Sequence, residues 1–213
     1  MKWFTVGVLT LSCTLLAQTH YVKREDLIVQ KGLSKACGHL ITWSKGALIY
    51  KGEKGSVNTV AAHRNFDHAP GSNYERSIMG HSALLLKYEN GNQDYISFFP
   101  KYGGGSIITE EGKFTSYEHN MNYYVEQEVA VTSFTLKESA YNLCVVDFKN
   151  KSEKFNGFSH NCTHSVLEFL QEELNISLEE ELFSTPKDLK ERLEFFLKQN
   201  PDYYCEQAQW ANQ

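Results

Sequence analysis

Two apolar runs joined by an Asn-Gly turn constrain the fold of this chain more than any other feature. The run "GHSALLLKY" occupies 80–88, "ENGN" follows at 89–92, and "QDYISFFP" completes the pattern at 93–100. Apolar, β-prone runs on either side of Asn-Gly are the strongest short-range signal for an antiparallel hairpin. The sequence therefore predicts an antiparallel sheet in the middle of the chain.

The register of this hairpin decides which side chains share a face with His81. If Asn90 and Gly91 form a two-residue turn, His81 faces Pro100 and no polar side chain lies beside it. A three-residue loop or a bulge shifts the pairing by one residue, and Ser97 and Tyr95 then lie on the face of His81. The sequence leaves both registers open.

The last third of the chain has helical periodicity. After Cys162, apolar side chains recur at helical spacing in Val166, Leu167, Leu170 and Leu174. A second helix begins in "STPKDLKERLEFFLKQN", where Thr185 fits the N-cap and Pro186 the first helical position. Because "NYYVEQEVAVTSFTL" at 122–136 alternates like a strand, the whole pattern predicts an α+β fold with helices packed on an antiparallel sheet.

Other segments give weaker signals. The segment at 25–46, which contains "CGHLITW", favours a short helix and a loop, whereas "GALIYKG" at 46–52 is typical of a strand. The run "YNLCVVDF" at 141–148 fits either a strand or a buried helical turn. No repeat or low-complexity linker divides the 213 residues, which predicts one domain.

The first residues predict export. Lys2 precedes an uncharged apolar run, and small residues at 17–19 resemble a signal-peptidase site. We expect a signal peptide over 1–19 and a mature domain over 20–213, secreted or periplasmic, that meets a membrane only through the signal segment. A retained anchor and a buried helix are the alternatives. A net charge of −5 gives no reason to expect nucleic acid as a partner.

Four cysteines remain after the signal segment: Cys37, Cys144, Cys162 and Cys205. Disulfide connectivity cannot be deduced from their spacing. Cys144 lies in an apolar run and is interpreted as a core residue. A Cys37–Cys205 bridge that ties the two ends of the domain together is the first pairing to test.

The stretch "FSHNCTHSV" at 158–166 places Cys162 at the start of a helix. The free backbone N–H groups and the dipole at that end favour a thiolate, which is the nucleophilic form of cysteine. A buried cysteine, half of a disulfide and a zinc ligand together with His160 and His164 are the alternatives. No Cys-x-x-Cys or His-Glu-x-x-His motif supports zinc, so we expect neither a metal nor a cofactor.

A thiol nucleophile needs a base, and position favours His81. This residue starts a predicted strand directly after Gly80, and a glycine there permits close approach of another backbone. His160 and His164 are close to Cys162 in sequence. However, His164 lies two residues further along the helix and therefore points to another face.

These residues resemble a known family. "GHSALLL…YISFFP", followed later by "NCTHSV" and then by "STPKDL", is similar to the circularly permuted NlpC-type branch of papain-like cysteine hydrolases, and "NCTHSV" resembles a box of the lecithin:retinol acyltransferase-like group. The resemblance covers about 75–198. It implies a papain-like antiparallel sheet packed against a helix that bears the nucleophile Cys162, with His81 as general base. It also implies a third polar residue that orients the imidazole, for which we favour Ser97 or Tyr95 over Gln93.

The resemblance implies an exported cysteine hydrolase that cleaves amide or peptide bonds through a thiolate–imidazolium pair, with peptidoglycan stem peptides of the cell wall as the expected substrate. A lipid acyl hydrolase or acyltransferase is the alternative with the same chemistry, and exposed aromatic residues in "ISFFPKY" would favour it. A non-catalytic binding protein on the same fold is the alternative from another class.

Overall fold

The computed structural model describes residues 20–23, 35–50, 74–77, 79–100, 110–125, 128–137, 145–151, 154–156, 158–179 and 184–205. The signal segment expected at 1–19 and Cys144, which the sequence predicts to be a core residue, lie outside these ranges. The prediction of a single domain over 20–213 stays a prediction.

The strands are, in chain order, β1 (His20–Lys23), β2 (Cys37–Trp43), β3 (Leu48–Tyr50), β4 (Tyr74–Arg76), β5 (His81–Lys87), β6 (Gln93–Ile96), β7 (Phe98–Pro100), β8 (Glu110–Phe114), β9 (Glu128–Thr135) and β10 (Lys154–Phe155). The α-helices are α1 (Tyr117–Tyr123), α2 (Val145–Asn150), α3 (Cys162–Glu172) and α4 (Pro186–Gln199), and a 3₁₀ helix follows at Pro201–Tyr203.

Antiparallel pairing builds the main sheet, in the order β1-β9-β2-β5-β6. Two smaller antiparallel sheets accompany it, β10-β8-β7 and β3-β4. The chain is thus α+β with antiparallel sheets, as the sequence predicts.

The hairpin of β5 and β6 adopts the shifted register. Leu84 pairs with Ile96 and Leu85 with Tyr95. The backbone N–H of Gly91 donates to the carbonyl of Tyr88, and Gly91 has a positive φ of 84°, which is typical of a three-residue loop with a left-handed glycine. Because β6 is in this register, Tyr95 lies on the face of the sheet that carries His81.

Each face of the main sheet is covered by its own core. On one face, Leu40 and Leu84 pack against buried residues of α3 and α4, among them Leu170 and Leu193. On the other face, the core contains side chains from β2, β5 and α1, namely Ile41, Trp43, Ala83, Leu85 and Met121. Since β5 is buried along its whole length, its sequence shows a continuous run rather than an alternation.

Two predictions need correction. The expectation of a helix and loop over 25–46 is wrong for Cys37–Trp43, which forms the central strand β2. The strand expected at 122–136 begins only at 128, because 122–123 belong to α1. Of the two alternatives for "YNLCVVDF", the described part from Val145 is helical.

Two further predictions, the cap of the last α-helix and one disulfide, are confirmed. Thr185 caps α4, where its hydroxyl accepts from the backbone N–H of Asp188 and the carboxylate of Asp188 accepts from the N–H of Thr185. Cys37 and Cys205 form the predicted disulfide. A disulfide is consistent with a location outside the reducing cytosol.

Among the described residues, none of the helices has the length and apolar character needed to span a bilayer.

Candidate active site

Cys162 is the first residue of α3 and follows a strong helix cap. The side-chain oxygen of Asn161 accepts from the backbone N–H groups of Thr163 at 2.8 Å and His164 at 3.3 Å. This cap fixes the helix start and leaves the N–H of Cys162 itself outside the capping bonds. The Cys162 side chain is buried, and it is the free cysteine among the described residues.

The start of α3 docks on β5 next to His81. The hydroxyls of Ser82 and Thr163 lie 3.3 Å apart. Hydrogen bonding from the backbone of Ser82 acts to lower the pKa of the Cys162 thiol. The ring of Tyr124 stacks on His81 with centroids 5.4 Å apart. A charge on Cys162 acts, after burial, to raise the pKa of Tyr124. The nucleophile and base expected from the sequence therefore lie in one neighbourhood.

Aromatic rings and hydrogen bonds hold the imidazole of His81. The ring lies 4.3 Å from that of Phe99 and 5.4 Å from that of Trp43, centroid to centroid. Its Nε2 is 2.9 Å from Oγ of Ser97 and 3.1 Å from the amide of Asn120. Both of these hydrogen bonds engage Nε2.

The amide of Asn120 organises these groups. The amide atom that faces His81 is 2.7 Å from both the hydroxyl of Tyr95 and that of Ser97, and the other amide atom is 3.1 Å from Oγ1 of Thr115. In the structure Nδ2 occupies the position that faces His81, where its two hydrogens meet three neighbours, the hydroxyls of Tyr95 and Ser97 and Nε2 of His81. The oxygen and nitrogen of an amide are interchangeable in such an assignment, and an oxygen at this position accepts from both hydroxyls. We therefore assign Oδ1 to the position that faces His81, with Nδ2 donating to Thr115.

This assignment sets the tautomer of His81. When the hydroxyl of Ser97 donates to Asn120, its oxygen is free to accept from Nε2–H of His81. The proton then sits on Nε2, and Nδ1 carries the lone pair that a general base requires.

Gly80 makes the close approach that its sequence position suggests. Its φ is +79°, and a Cβ built on it would collide with the backbone carbonyl of Trp43 and crowd that of Ser44. The position before His81 therefore requires glycine, and the end of β2 can lie tightly against the start of β5.

Burial opposes charge on both reacting groups. It raises the pKa of the Cys162 thiol, although hydrogen bonds from the backbone of Ser82 and from Thr163 act in the opposite direction. Burial, with a smaller contribution from the charge of His119, lowers the pKa of His81 to about 3. The conformation described thus favours a neutral thiol and a neutral imidazole over the expected thiolate–imidazolium pair.

The other candidate residues lie in different places. Tyr95 contacts Asn120 rather than the imidazole, and Gln93 pairs with Lys87 at the far end of β5. His160 packs edge-on against Phe98, and His164 is buried in the first turn of α3. Within the described residues, no cluster of three or more His, Cys, Asp or Glu side chains has a geometry that would hold a metal ion.

Sequence reasoning missed Asn120, which lies on α1. The signal is present in hindsight, since Ser116 is a good N-cap and Tyr117, Met121 and Tyr124 follow at helical spacing. Asn120 lies on the same stripe and is fully buried. A buried amide must be hydrogen-bonded, so a polar residue on that stripe marks a polar partner inside the core.

Comparisons of the chain with protein-family models, with curated proteins and with solved structures find no match.

Proposed function

We propose that this chain is an exported thiol hydrolase with a permuted papain-like fold, which cleaves amide or peptide bonds. The observation that carries the proposal is the set of contacts made by His81 and its neighbour Ser82. Asn120 and Ser97 contact Nε2 of His81, and the backbone of Ser82, the residue after His81, acts to lower the pKa of the Cys162 thiol. Acyl transfer by a thiol requires a nucleophile, a base and a group that orients the base, and these contacts support Cys162, His81 and the Asn120–Ser97 pair in those roles.

In the proposed reaction, the sulfur of Cys162 attacks the carbonyl carbon while Nδ1 of His81 takes the thiol proton. The backbone N–H of Cys162, at the start of α3, donates to the oxyanion that forms. The C–N bond then breaks as the imidazolium gives its proton to the leaving amine. Water activated by Nδ1 hydrolyses the thioester and regenerates the thiol. Because burial disfavours both charges, proton transfer accompanies attack rather than preceding it.

In "ISFFPKY" at 96–102, exposed aromatic side chains would favour a lipid substrate. Phe98 and Phe99 are buried, as is the preceding Tyr95, and Tyr102 lies outside the described residues. The buried rings support a peptide rather than a lipid substrate. Each takes part in internal aromatic contacts. Peptidoglycan stem peptides are the substrate class that an exported hydrolase of this kind would meet in a cell wall.

Alkylation of Cys162 tests the catalytic pair. At neutral pH, iodoacetamide should label Cys162 in wild type at least about tenfold faster than in His81→Gln, because the base is lost. Cys162→Ala identifies the labelled site by mass spectrometry, and His160→Gln is the matched histidine control. Equal rates in wild type and His81→Gln would sink the proposal and leave a binding protein as the better interpretation.

Digestion of purified peptidoglycan tests the substrate. Wild type should release new amino termini from stem peptides, and Cys162→Ala should release none. Expression in the periplasm and in the cytosol gives a second readout. Toxicity that needs both the periplasm and the thiol points to the cell wall, whereas equal toxicity of Cys162→Ala contradicts hydrolysis as its cause.

A further inference from the structure

Two buried hydroxyl groups lie between the thiol of Cys162 and strand β5. Oγ1 of Thr163 is 4.0 Å from the sulfur of Cys162, and Oγ of Ser82 is 3.3 Å from Oγ1 of Thr163. Thr163 follows the cysteine on α3, and Ser82 follows His81 on β5. The side chains of Ser82 and Thr163, which we call the hydroxyl pair, therefore connect the sulfur to the strand that carries the proposed base.

The place of Thr163 in its helix leaves the hydroxyl available for the sulfur. A threonine inside a helix commonly donates to the backbone carbonyl four residues before it. Thr163 is the second residue of α3, so the residue four positions earlier, Ser159, lies in the turn that precedes the helix. The backbone N–H of Thr163 donates to the Asn161 cap. The Thr163 hydroxyl contacts Ser82 and Cys162 instead of the helix backbone.

The hydroxyl pair is closed off from solvent. Ser82 and Thr163 have no exposed surface, and Cys162 is only 8% exposed. Where water does not compete, a hydrogen bond is electrostatically stronger than at the surface. Burial raises the pKa of the Cys162 thiol, whereas hydrogen bonding from the backbone of Ser82 and from the side chain of Thr163 acts to lower it. Burial thus opposes a negative charge on the sulfur, and the two neighbours favour it.

A hydroxyl can serve both forms of the sulfur. It accepts from the S–H group of a neutral thiol and, after rotation, donates to a charged sulfur. When the hydroxyl of Thr163 donates to the sulfur, its oxygen can accept from the hydroxyl of Ser82. Both hydroxyls keep their own protons in this exchange, since the thiol proton goes to His81 as in the proposed reaction.

We propose that the hydroxyl pair stabilises the negative charge on the sulfur of Cys162, with Thr163 as the donor to the sulfur and Ser82 as the positioning residue that orients the Thr163 hydroxyl. The inference rests on the proposed function, in which charge develops on the sulfur during attack and again when the thioester breaks. The pair offsets part of the opposition that burial sets up at both steps.

The pH dependence of alkylation tests the role of Thr163. Thr163→Val keeps the branched shape and removes the hydroxyl. At neutral pH it should slow the labelling of Cys162 by iodoacetamide about three- to tenfold, less than a short charge-assisted hydrogen bond would give, because the distance to sulfur is long. The rise of the rate with pH should move to higher pH. The plateau rates should agree within about twofold, since a less stabilised thiolate is no weaker as a nucleophile.

Three further variants locate the effect. Thr163→Ser restores a hydroxyl and should restore most of the wild-type profile. Ser82→Ala should shift the profile in the same direction as Thr163→Val but by less, because the donor to the sulfur remains. Thr42→Val is the matched control and should leave the profile unchanged. Thr42 is buried and pairs with Ser82 across the sheet, but its hydroxyl donates to the carbonyl of Ala130 at 3.5 Å.

The outcomes separate the two proposals. Labelling that is equally fast in wild type and His81→Gln contradicts the proposed function itself. Labelling that depends on His81, with the same pH profile in wild type and in Thr163→Val, overturns only the hydroxyl pair. Equal shifts in Thr163→Val and Thr163→Ser also overturn it, because the hydroxyl is then not the cause. Thermal melts identify folded variants, and if Thr163→Val does not fold, an unchanged profile in Ser82→Ala overturns the pair.

Discussion

The amide of Asn120 lies 3.1 Å from Nε2 of His81, although the two residues are 39 positions apart in the chain. Helix α1 carries Asn120 and β5 carries His81. Their contact holds the imidazole through Nε2. We therefore expect Asn120 to be a positioning residue for the base.

Asn120→Ala should slow alkylation and hydrolysis at Cys162 by about tenfold to a hundredfold, a part of the 10²- to 10⁴-fold that a general base supplies. The physical reason is loss of the amide that contacts both Nε2 of His81 and the hydroxyl of Ser97. Asn122→Ala, on the exposed side of the same helix, is the control. Equal rates in both variants would contradict a positioning role.

Asn120→Asp should change the pH dependence of the rate, which a purely structural role of Asn120 would leave unchanged. A carboxylate beside the imidazole favours the imidazolium, so the pKa of His81 should rise from about 3 towards its ordinary value. The acidic limb of the pH–rate profile should then move to higher pH. An unshifted limb in a folded variant argues against the contact.

Ser97 and Tyr95 should differ in their effect on the rate. Ser97 contacts His81 directly at 2.9 Å, whereas Tyr95 reaches it only through Asn120. We expect Ser97→Ala to reduce the alkylation rate of Cys162 more than Tyr95→Phe, which keeps the ring and removes one hydroxyl. Rates measured at one pH on both variants decide the order, and a larger effect of Tyr95→Phe would reverse our assignment.

Gly80→Ala should destabilise the protein and slow the labelling of Cys162. The new Cβ would meet the carbonyl of Trp43, and the positive φ of 79° adds about 1–2 kcal/mol of backbone strain. Gly46→Ala has a comparable φ of 89° but open space around the Cβ, so it separates strain from collision. Urea unfolding should show a clearly larger loss for Gly80→Ala, and equal losses would contradict the close approach.

Acid should destabilise the protein through its buried histidines. The pKa of His39 is lowered to about 3 by burial and secondarily by the charge of Lys87, and that of His81 is lowered to about 3 as well. Above pH 6.5, histidine is neutral in both the folded and the unfolded chain. Between pH 6.5 and 3 only the unfolded chain gains the protons, so stability falls by about 1.4 kcal/mol per pH unit for each histidine.

Melting temperatures measured from pH 7 to pH 4.5 check this dependence. His39→Gln should be less stable at neutral pH but should lose stability less steeply on acidification than wild type. His160→Gln, at a half-buried position, controls for loss of a histidine as such. Identical slopes for wild type and His39→Gln would show that His39 does not titrate as its burial requires.

Breaking the disulfide should lower stability without removing the nucleophile. The bridge closes a loop of 168 positions, and native disulfides typically contribute about 2–5 kcal/mol. Cys37→Ser with Cys205→Ser should therefore melt roughly 5–15 °C lower, at about 2–4 °C per kcal/mol. The labelling rate of Cys162 well below the melting temperature should be unchanged, and a large decrease would indicate that the bridge also shapes the site.

Local signals predicted the parts of the fold that local chemistry determines. The Asn-Gly hairpin, the capping box at Thr185 and the helix that starts at Cys162 are each encoded within a few residues. The choice between the two hairpin registers required the structure. The structure has the shifted register, and Ser97 accordingly contacts His81.

Central strand β2 was not predicted, because its determinants are distant in sequence. It is buried on both faces and so lacks the alternation that marks a half-exposed strand. Gly38 also weakens the local signal, but a Cβ there would overlap the ring of Phe134 on β9. The need for glycine at position 38 is therefore explained by its contact with Phe134, which is distant in sequence. Asn120 was missed for the same reason, because its contacts with His81 and Tyr95 join α1 to two strands that are distant in sequence.

The bridge between Cys37 and Cys205 has a consequence for biogenesis. In a chain that crosses a membrane from its amino terminus, Cys37 emerges first, and Cys144 and Cys162 emerge before its native partner. Oxidation in order of emergence would trap Cys162, the proposed nucleophile, in a non-native disulfide, and thiol–disulfide exchange would be needed to release it. Secretion into a compartment with disulfide isomerase should therefore yield more active protein than secretion into one that only oxidises.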